Sequence, residues 1–284
     1  MAIGIPLLGA AALGAGTVLE RFILKKKKIG IKLYQTVSFF AIVLATLPFL
    51  YFFWKLDAGA FELKNILIFI GVIASSLAAN LFVFYSLKWE KVTNLEPARI
   101  LEPLFVILLA VVFSFFTQGL YEQNLKIIIP AVIASIALIF PHIKKHHLKI
   151  NKYIIAAILG SFFFGLELVI SRLILDFYSP ITFYFLRCIS IFIISLAVFR
   201  PNFKALDKKT SLFIFITGAI WVLYRVVVYF GYLNYGVIFT TLIIMLGPIA
   251  VYALARIFLK EKLNWKNIVS ALIITGCVVY AILG

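Results

Sequence analysis

Asn65-Ile-Leu-Ile-Phe-Ile-Gly-Val-Ile-Ala-Ser-Ser-Leu-Ala-Ala-Asn80-Leu-Phe-Val-Phe-Tyr-Ser-Leu87 runs for 23 residues without a charge. About 20 predominantly apolar residues suffice for a helix to cross the hydrocarbon core of a bilayer. The run stops at Lys88-Trp-Glu-Lys-Val-Thr-Asn-Leu-Glu-Pro97, where four charges and a proline arrive within ten residues. Working outward from it, apolar runs recur at 2–24, 33–55, 97–118, 125–143, 153–175, 178–199, 211–233, 236–259 and 266–283. The expected fold is an all-α integral membrane protein of ten transmembrane helices. Its connections are too short to hold a soluble active site.

Composition agrees. Of 284 residues, 64% are hydrophobic and 13% charged, against about 45–50% and about 25% for soluble domains. A single soluble domain, a disordered chain, a disulfide scaffold and a coiled coil are all excluded by this surplus. The first run reads as a span rather than a cleavable leader, because no positive segment precedes it and Lys25, Lys26, Lys27 and Lys28 follow it.

The net charge of +16 is explained by where the cations lie. Connections 1–2, 3–4, 5–6, 7–8 and 9–10 carry twenty Lys and Arg, the even connections only Lys55, Lys64, Lys126 and Arg172. Cytoplasmic loops are enriched in Lys and Arg, so the bias places the odd connections inside and both termini outside. No nucleic acid partner is needed to account for the charge; the expected surroundings are the bilayer of the cell membrane. Cys188 and Cys277 stand alone in apolar runs, and His142, His146 and His147 share one loop, so no metal site, cofactor or disulfide is expected. The chain contains no H-E-x-x-H, D-x-x-D, G-x-S-x-G or Walker-type G-x-x-x-x-G-K-[ST]. The reading is therefore not an enzyme and not an ATP-driven pump by itself.

The two halves resemble each other. An offset of 145 puts Leu101-Glu102-Pro103-Leu104 on Leu246-Gly247-Pro248-Ile249, Phe84-Tyr85-Ser86 on Tyr229-Phe230-Gly231, and Asn80 on Arg225; an offset of 151 puts Glu20-Arg21 on Ser171-Arg172 and Gly14 on Gly165. Five spans is an odd number, so one half is inverted relative to the other, with units at 1–149 and 150–284. Two inverted five-helix repeats are an architecture of secondary transporters, whose site lies near the midplane between them.

With these residues the chain resembles the drug/metabolite transporter superfamily, specifically ten-span proteins with two EamA repeats. The resemblance rests on Leu101-Glu102-Pro103, Leu246-Gly247-Pro248 and Phe258-Leu259-Lys260-Glu261-Lys262-Leu263, the last similar to the family's phenylalanine-leucine-glycine-glutamate stretch with Lys260 in place of glycine. The first half has Phe115-Phe116-Thr117-Gln118-Gly119 there instead. The resemblance implies a secondary active transporter of small polar metabolites, often an exporter or exchanger, driven by protons or a counter-solute. It also implies both termini in the cytoplasm, opposite to the charge bias. A flippase of a lipid or lipid-linked sugar is the alternative on the same scaffold. A homodimer is compatible with this reading.

An ionised side chain at mid-bilayer costs at least about 2.5–3.5 kcal/mol, so it faces a partner or a wet cavity. Glu167, Arg187 and Arg225 fall within spans 6, 7 and 8. Either they form an ion pair that locks helices together, or they line a cavity whose two arginines against one glutamate favour an anionic or zwitterionic solute. Glu102 before Pro103 reads as a bent helix start or a cavity carboxylate. Asn80 offers an amide at the position matching Arg225. Tyr85 and Trp221 are candidates for an aromatic wall, with Tyr224 and Tyr229 beside them. Glu20 and Arg21 read as an interfacial pair, and Gly14, Gly16, Gly160 and Gly165 as points of close helix approach.

Overall fold

The computed structural model describes residues 4–26, 29–90, 95, 98, 100–117, 119–139, 151–247 and 265–283. Among these, ten α-helices follow one another: α1 Gly4–Arg21, α2 Ile31–Phe53, α3 Leu63–Trp89, α4 Leu101–Ser114, α5 Leu125–Ile139, α6 Lys152–Arg172, α7 Pro180–Phe199, α8 Lys208–Asn234, α9 Val237–Ile244 and α10 Trp265–Leu283. No strand occurs among the described residues; Leu56 and Tyr178 form a single isolated bridge. The chain is an all-helical, multi-pass membrane protein. Helices α2, α3, α6, α7 and α8 are long and apolar enough to span a bilayer, and α4 and α5 are shorter apolar helices, as is Ile268–Leu283 of α10. A helix suits this solvent because each of its backbone N–H and C=O groups finds its partner inside the segment.

Local sequence sets the helix ends. Asn151 caps α6 by accepting from the N–H groups of Tyr153 and Ile154, each at 2.9 Å. Ser179 caps α7 by accepting from Thr182 N–H at 3.2 Å, with Pro180 at the first helical position. Arg200, at φ 42° and ψ 55°, closes α7 in the left-handed conformation, and Pro201 follows. The last turns of α2 leave Tyr51, Phe52, Phe53 and Trp54 exposed, a cluster of rings of the kind found at the bilayer interface.

The helices pack pairwise. Helix α3 lies along α6, α1 along α8, α2 along α7, α5 along α10 and α4 along α9, with further contacts of α2 on α8 and α4 on α6. Small residues let the backbones approach. A Cβ on Gly160 would stand 3.3 Å from Val83 N and 3.4 Å from Ala79 O across the α3–α6 contact. A Cβ on Gly218 would stand 3.1 Å from Ile42 N across the α2–α8 contact.

Two faces of the bundle can be distinguished. On one, the amide of Asn151 at the start of α6 donates to the Glu90 carboxylate beyond the end of α3, at 2.9 Å. Lys32, Lys88, Lys152, Arg200, Lys204, Lys208, Lys209 and Lys266 lie at helix ends on this lysine-rich face. On the opposite face, the α2–α3 and α6–α7 connections are strapped together. Asp57 N–H donates to Phe177 O (2.9 Å), Ser179 N–H to Lys55 O (3.2 Å) and Lys55 N–H to Thr182 Oγ1 (3.1 Å). Tyr121, between α4 and α5, donates to Val169 O of α6 at 2.8 Å. Burial pushes its phenol well above the usual tyrosine range, so it stays a donor at any physiological pH. Next to it, the Glu122 carboxylate accepts from Val237 and Phe239 N–H at 3.1 and 3.0 Å and holds the first turn of α9. Gly236 reaches this geometry with φ +89°, and a Cβ there would overlap the Glu122 carboxyl group.

Several sequence features fall outside the described residues: Lys27 and Lys28, the midpoint loop with His142, His146 and His147, Pro97, Arg99, Pro248, and the stretch Phe258–Leu263.

Candidate functional site

Glu167 sits one turn before the end of α6, on the same face as Ser171 four residues on. Its carboxylate is fully buried, and three side chains converge on it. Arg187 of α7, 2% exposed, pairs through Nη1 with Glu167 Oε1. Tyr229 of α8, also fully buried, donates its hydroxyl to the same Oε1 at 2.8 Å and accepts from Arg187 Nη1 at 2.5 Å. Arg225, one turn earlier on α8, brings Nη1 to 3.2 Å from Glu167 Oε2. That approach lacks hydrogen-bond alignment, so both atoms are left without a hydrogen-bond partner. Ser171 Oγ donates to the Glu167 backbone oxygen at 2.6 Å and stands 3.3 Å from Oε1. Aromatic faces complete the cage: Arg187 lies over Tyr184 (4.8 Å) and Tyr229 (5.8 Å), and Arg225 over Phe164 (5.2 Å) and Tyr224 (5.5 Å). Such cation–π contacts contribute about 2 kcal/mol or more once desolvated.

The two arginines therefore differ. Arg187 is fixed by a shared carboxylate oxygen and a phenol. Arg225 is held by charge and by ring faces, with a guanidinium N–H still to satisfy.

In front of this cage lies a cavity between α1, α2, α3, α4, α6, α7 and α8. Arg187 and Tyr184 line it in the half of α7 nearer the strapped face. Arg225, Asn80 and Phe164 lie at middle depth, Glu20, Ser38 and Phe84 lie nearer the lysine-rich face, and Glu102 lies in the first turn of α4. Depth follows from helix position: Ser38 is two turns into α2 from that face, and Phe84 is five residues from the α3 end there.

Of the residues expected from sequence, Arg187, Arg225, Asn80, Glu102 and Trp221 line this one cavity. Glu167 lies behind the lining and supports it. Tyr85 is turned away: one residue past Phe84, it points about 100° around the helix and packs on Tyr153 (ring centroids 5.5 Å apart). Glu20, expected at the interface, is 5% exposed and lines the cavity. The helical path continues past α1 as a π-turn over Phe22–Lys26, which places Glu20 more than a turn inside. The net positive cavity expected from two arginines and one glutamate is also corrected. Glu102 and Glu20 join them, so two arginines stand among three carboxylates. Sequence reading missed Ser38, Phe84 and Tyr184 on the wall; nothing in the pattern separates them from lipid-facing neighbours. Tyr229 was read as wall and is instead a brace for Glu167.

Residues 151–283 match the family model described as the EamA-like transporter family. This half of the chain is similar to that family. It contributes Glu167, Arg187, Trp221, Arg225 and Tyr229, and so most of the charged site. No curated protein matches the sequence. A solved structure, described only as the crystal structure of a protein, is similar with a TM-score of 0.72 over 99% of this chain and 95% of its own, at 13% identity. At that identity the likeness is one of fold, and it extends over both the matched half and the half before it.

Proposed function

We propose that the chain is a secondary transporter that carries a small zwitterionic solute of amino-acid type by alternating access between two inverted five-helix halves, at 1–149 and 150–284. The observation that carries this reading is the cavity itself. Buried charges of both signs surround an empty space where α1 to α4 meet α6 to α8. A bundle that merely had to hold together in lipid would gain nothing from a hollow lined by Arg187, Arg225, Glu102 and Glu20, because each buried charge carries a cost. The family to which residues 151–283 match is one of transporters.

The packing pattern supports the inverted halves. Exchanging α1 with α6, α2 with α7, α3 with α8, α4 with α9 and α5 with α10 maps the α3–α6 contact onto α8–α1. The same exchange leaves α2–α7, α4–α9 and α5–α10 unchanged. Lining charges of both signs, Arg187 and Arg225 with Glu102 and Glu20, favour a solute that carries both signs over a simple anion. By the positive-inside rule the lysine-rich face is cytoplasmic, so the cavity loads from the cytoplasm, as an exporter or exchanger requires. Protons or a counter-solute drive the cycle.

Purified protein in liposomes should show saturable counterflow of a labelled zwitterionic amino acid, competed by unlabelled solute. Scrambling of a fluorescent phospholipid analogue without any solute counterflow would contradict the proposal and favour lipid translocation.

In this reading the strapped face is the closed gate, and Glu122 is one of its ties. Glu122→Ala removes two charge-assisted hydrogen bonds at the start of α9, each worth roughly 1.5–3 kcal/mol when buried and less where water replaces it. The expected result is a lower melting temperature in detergent together with faster counterflow, since the closed state alone loses stability. A melting curve and transport rate equal to wild type would contradict this role.

A further inference from the structure

The hydrogen-bond inventory of the cavity wall is one-sided. Among the described lining residues, three side-chain atoms are buried without a partner: Trp221 Nε1, Arg225 Nη1 and Arg187 Nε. All three are N–H donors. Leaving buried donors unsatisfied costs about 1–3 kcal/mol each, and more for charged groups, so the wall is built for acceptor atoms that arrive from outside the protein. Trp221 and Arg225 are four residues apart on α8, one above the other on the same helix face. A pair of N–H groups on adjoining turns, one of them a guanidinium, suits the two oxygens of a carboxylate.

The position of Glu167 adds a second element. Its Oε2 stands 3.2 Å from Arg225 Nη1 without bonding to it, while Oε1 is fully engaged by Arg187 and Tyr229. We propose that the solute's carboxylate takes Arg225 Nη1 and Trp221 Nε1 in place of Glu167 Oε2, so that Arg225 exchanges an internal carboxylate for the substrate's. The inference rests on the transport reading above and names the seat within it. Glu167 belongs to α6 and Arg225 to α8, which otherwise share few contacts. The exchange therefore loosens the one ion pair between them when the solute arrives. Glu167 is not abandoned, because Arg187 and Tyr229 stay with it. In this arrangement Arg225 is the solute-binding cation, and Arg187 is a positioning residue that acts through Glu167. The walls around the seat, Phe39, Phe84, Phe164, Tyr184 and Tyr224, suit a ring-sized apolar body on the solute.

Three matched probes test the seat on purified full-length protein: 3-phenylpropionate, phenylalanine and phenethylamine, followed by the shift in melting temperature and by equilibrium dialysis. Both carboxylate-bearing probes should bind saturably and phenethylamine should not. Trp221→Phe keeps the ring and removes the N–H, and is expected to weaken carboxylate binding about tenfold. Arg225→Gln should weaken it at least as much. Glu167→Gln should leave binding equal or tighter, because the internal competitor loses its charge. Monodisperse gel filtration of each variant separates loss of binding from loss of fold. Binding of phenethylamine alone, carboxylate binding unchanged in Arg225→Gln and Trp221→Phe, or no binding of any probe to the wild type would overturn the seat. Counterflow separates the two readings. Transport insensitive to Arg225→Gln defeats the seat and leaves the transporter, whereas binding at Arg225 without counterflow leaves the seat and defeats the transporter.

Discussion

Glu167→Ala should destabilise the protein by about 3–5 kcal/mol, the range seen when one partner of a buried ion pair is removed. The fully buried carboxylate faces Arg187 at 2% and Arg225 at 5% exposure. Its loss strands two guanidiniums and the Tyr229 hydroxyl in an interior that water reaches only through the cavity. Thermal melting in detergent should show a large drop, or no folded protein at all. If the variant does not express, the double variant Glu167→Leu with Arg187→Met supplies the readout, since it strands Arg225 alone where the single variant strands both guanidiniums. Recovery of the double variant beyond the sum of the single effects measures the coupling. A single variant that melts with the wild type would mean that the cage holds nothing together.

Gly160→Leu is the second large effect. A Cβ at this position already stands 2.7 Å from the Val83 side chain and within 3.4 Å of backbone atoms of α3. The side chain can turn, but the helix backbone cannot, so a leucine drives α3 and α6 apart. Overpacking of this kind costs about 1–3 kcal/mol or more. In a membrane the loss is sharper, because close packing rather than water exclusion holds helices together. Gly276→Leu on α10, where no described residue lies within 4 Å, is the control and should melt with the wild type or slightly above it. Equal melting of the two leucine variants would contradict the close crossing of α3 and α6. The crossing matters for function because α3 carries Asn80 and Phe84, and α6 carries Phe164 and Glu167.

How far the sequence could be read depended on what kind of signal each feature leaves. Span positions were legible because length and charge alone define them. Runs expected at 153–175, 178–199 and 211–233 are helices at Lys152–Arg172, Pro180–Phe199 and Lys208–Asn234. The run at 97–118 was overextended. Helix α4 stops at Ser114 and turns through Phe115–Thr117, with Gly119 at φ +75°; Phe115 and Phe116 are apolar but exposed. Which face of each helix turns inward was much less legible. Lipid tails and a protein interior are equally apolar, so the periodic contrast that orients a soluble helix is weak here. Charged residues are the exception, because their cost in lipid forces them inward; Arg187, Arg225 and Glu102 accordingly line the cavity. Tyr85 and Phe84 differ by one position and by nothing in polarity, and only the geometry of α3 against α6 separates cavity wall from Tyr153 partner. The brace role of Tyr229 was hidden for a related reason. A phenol can face lipid, water or a carboxylate, and its sequence position does not say which.

The central claim is that the cavity between the halves is reached by water and solute from one face at a time. Asn80→Cys, in a background where Cys188 and Cys277 are replaced by alanine, places one thiol on the cavity wall. Labelling by a membrane-impermeant maleimide, applied separately from each side of oriented membranes, reads its exposure. The account predicts labelling from the lysine-rich face in the absence of solute, and a rise in labelling from the opposite face when transported solute is added. A thiol that reacts from neither side, or from the lysine-rich side alone whatever solute is present, would contradict it.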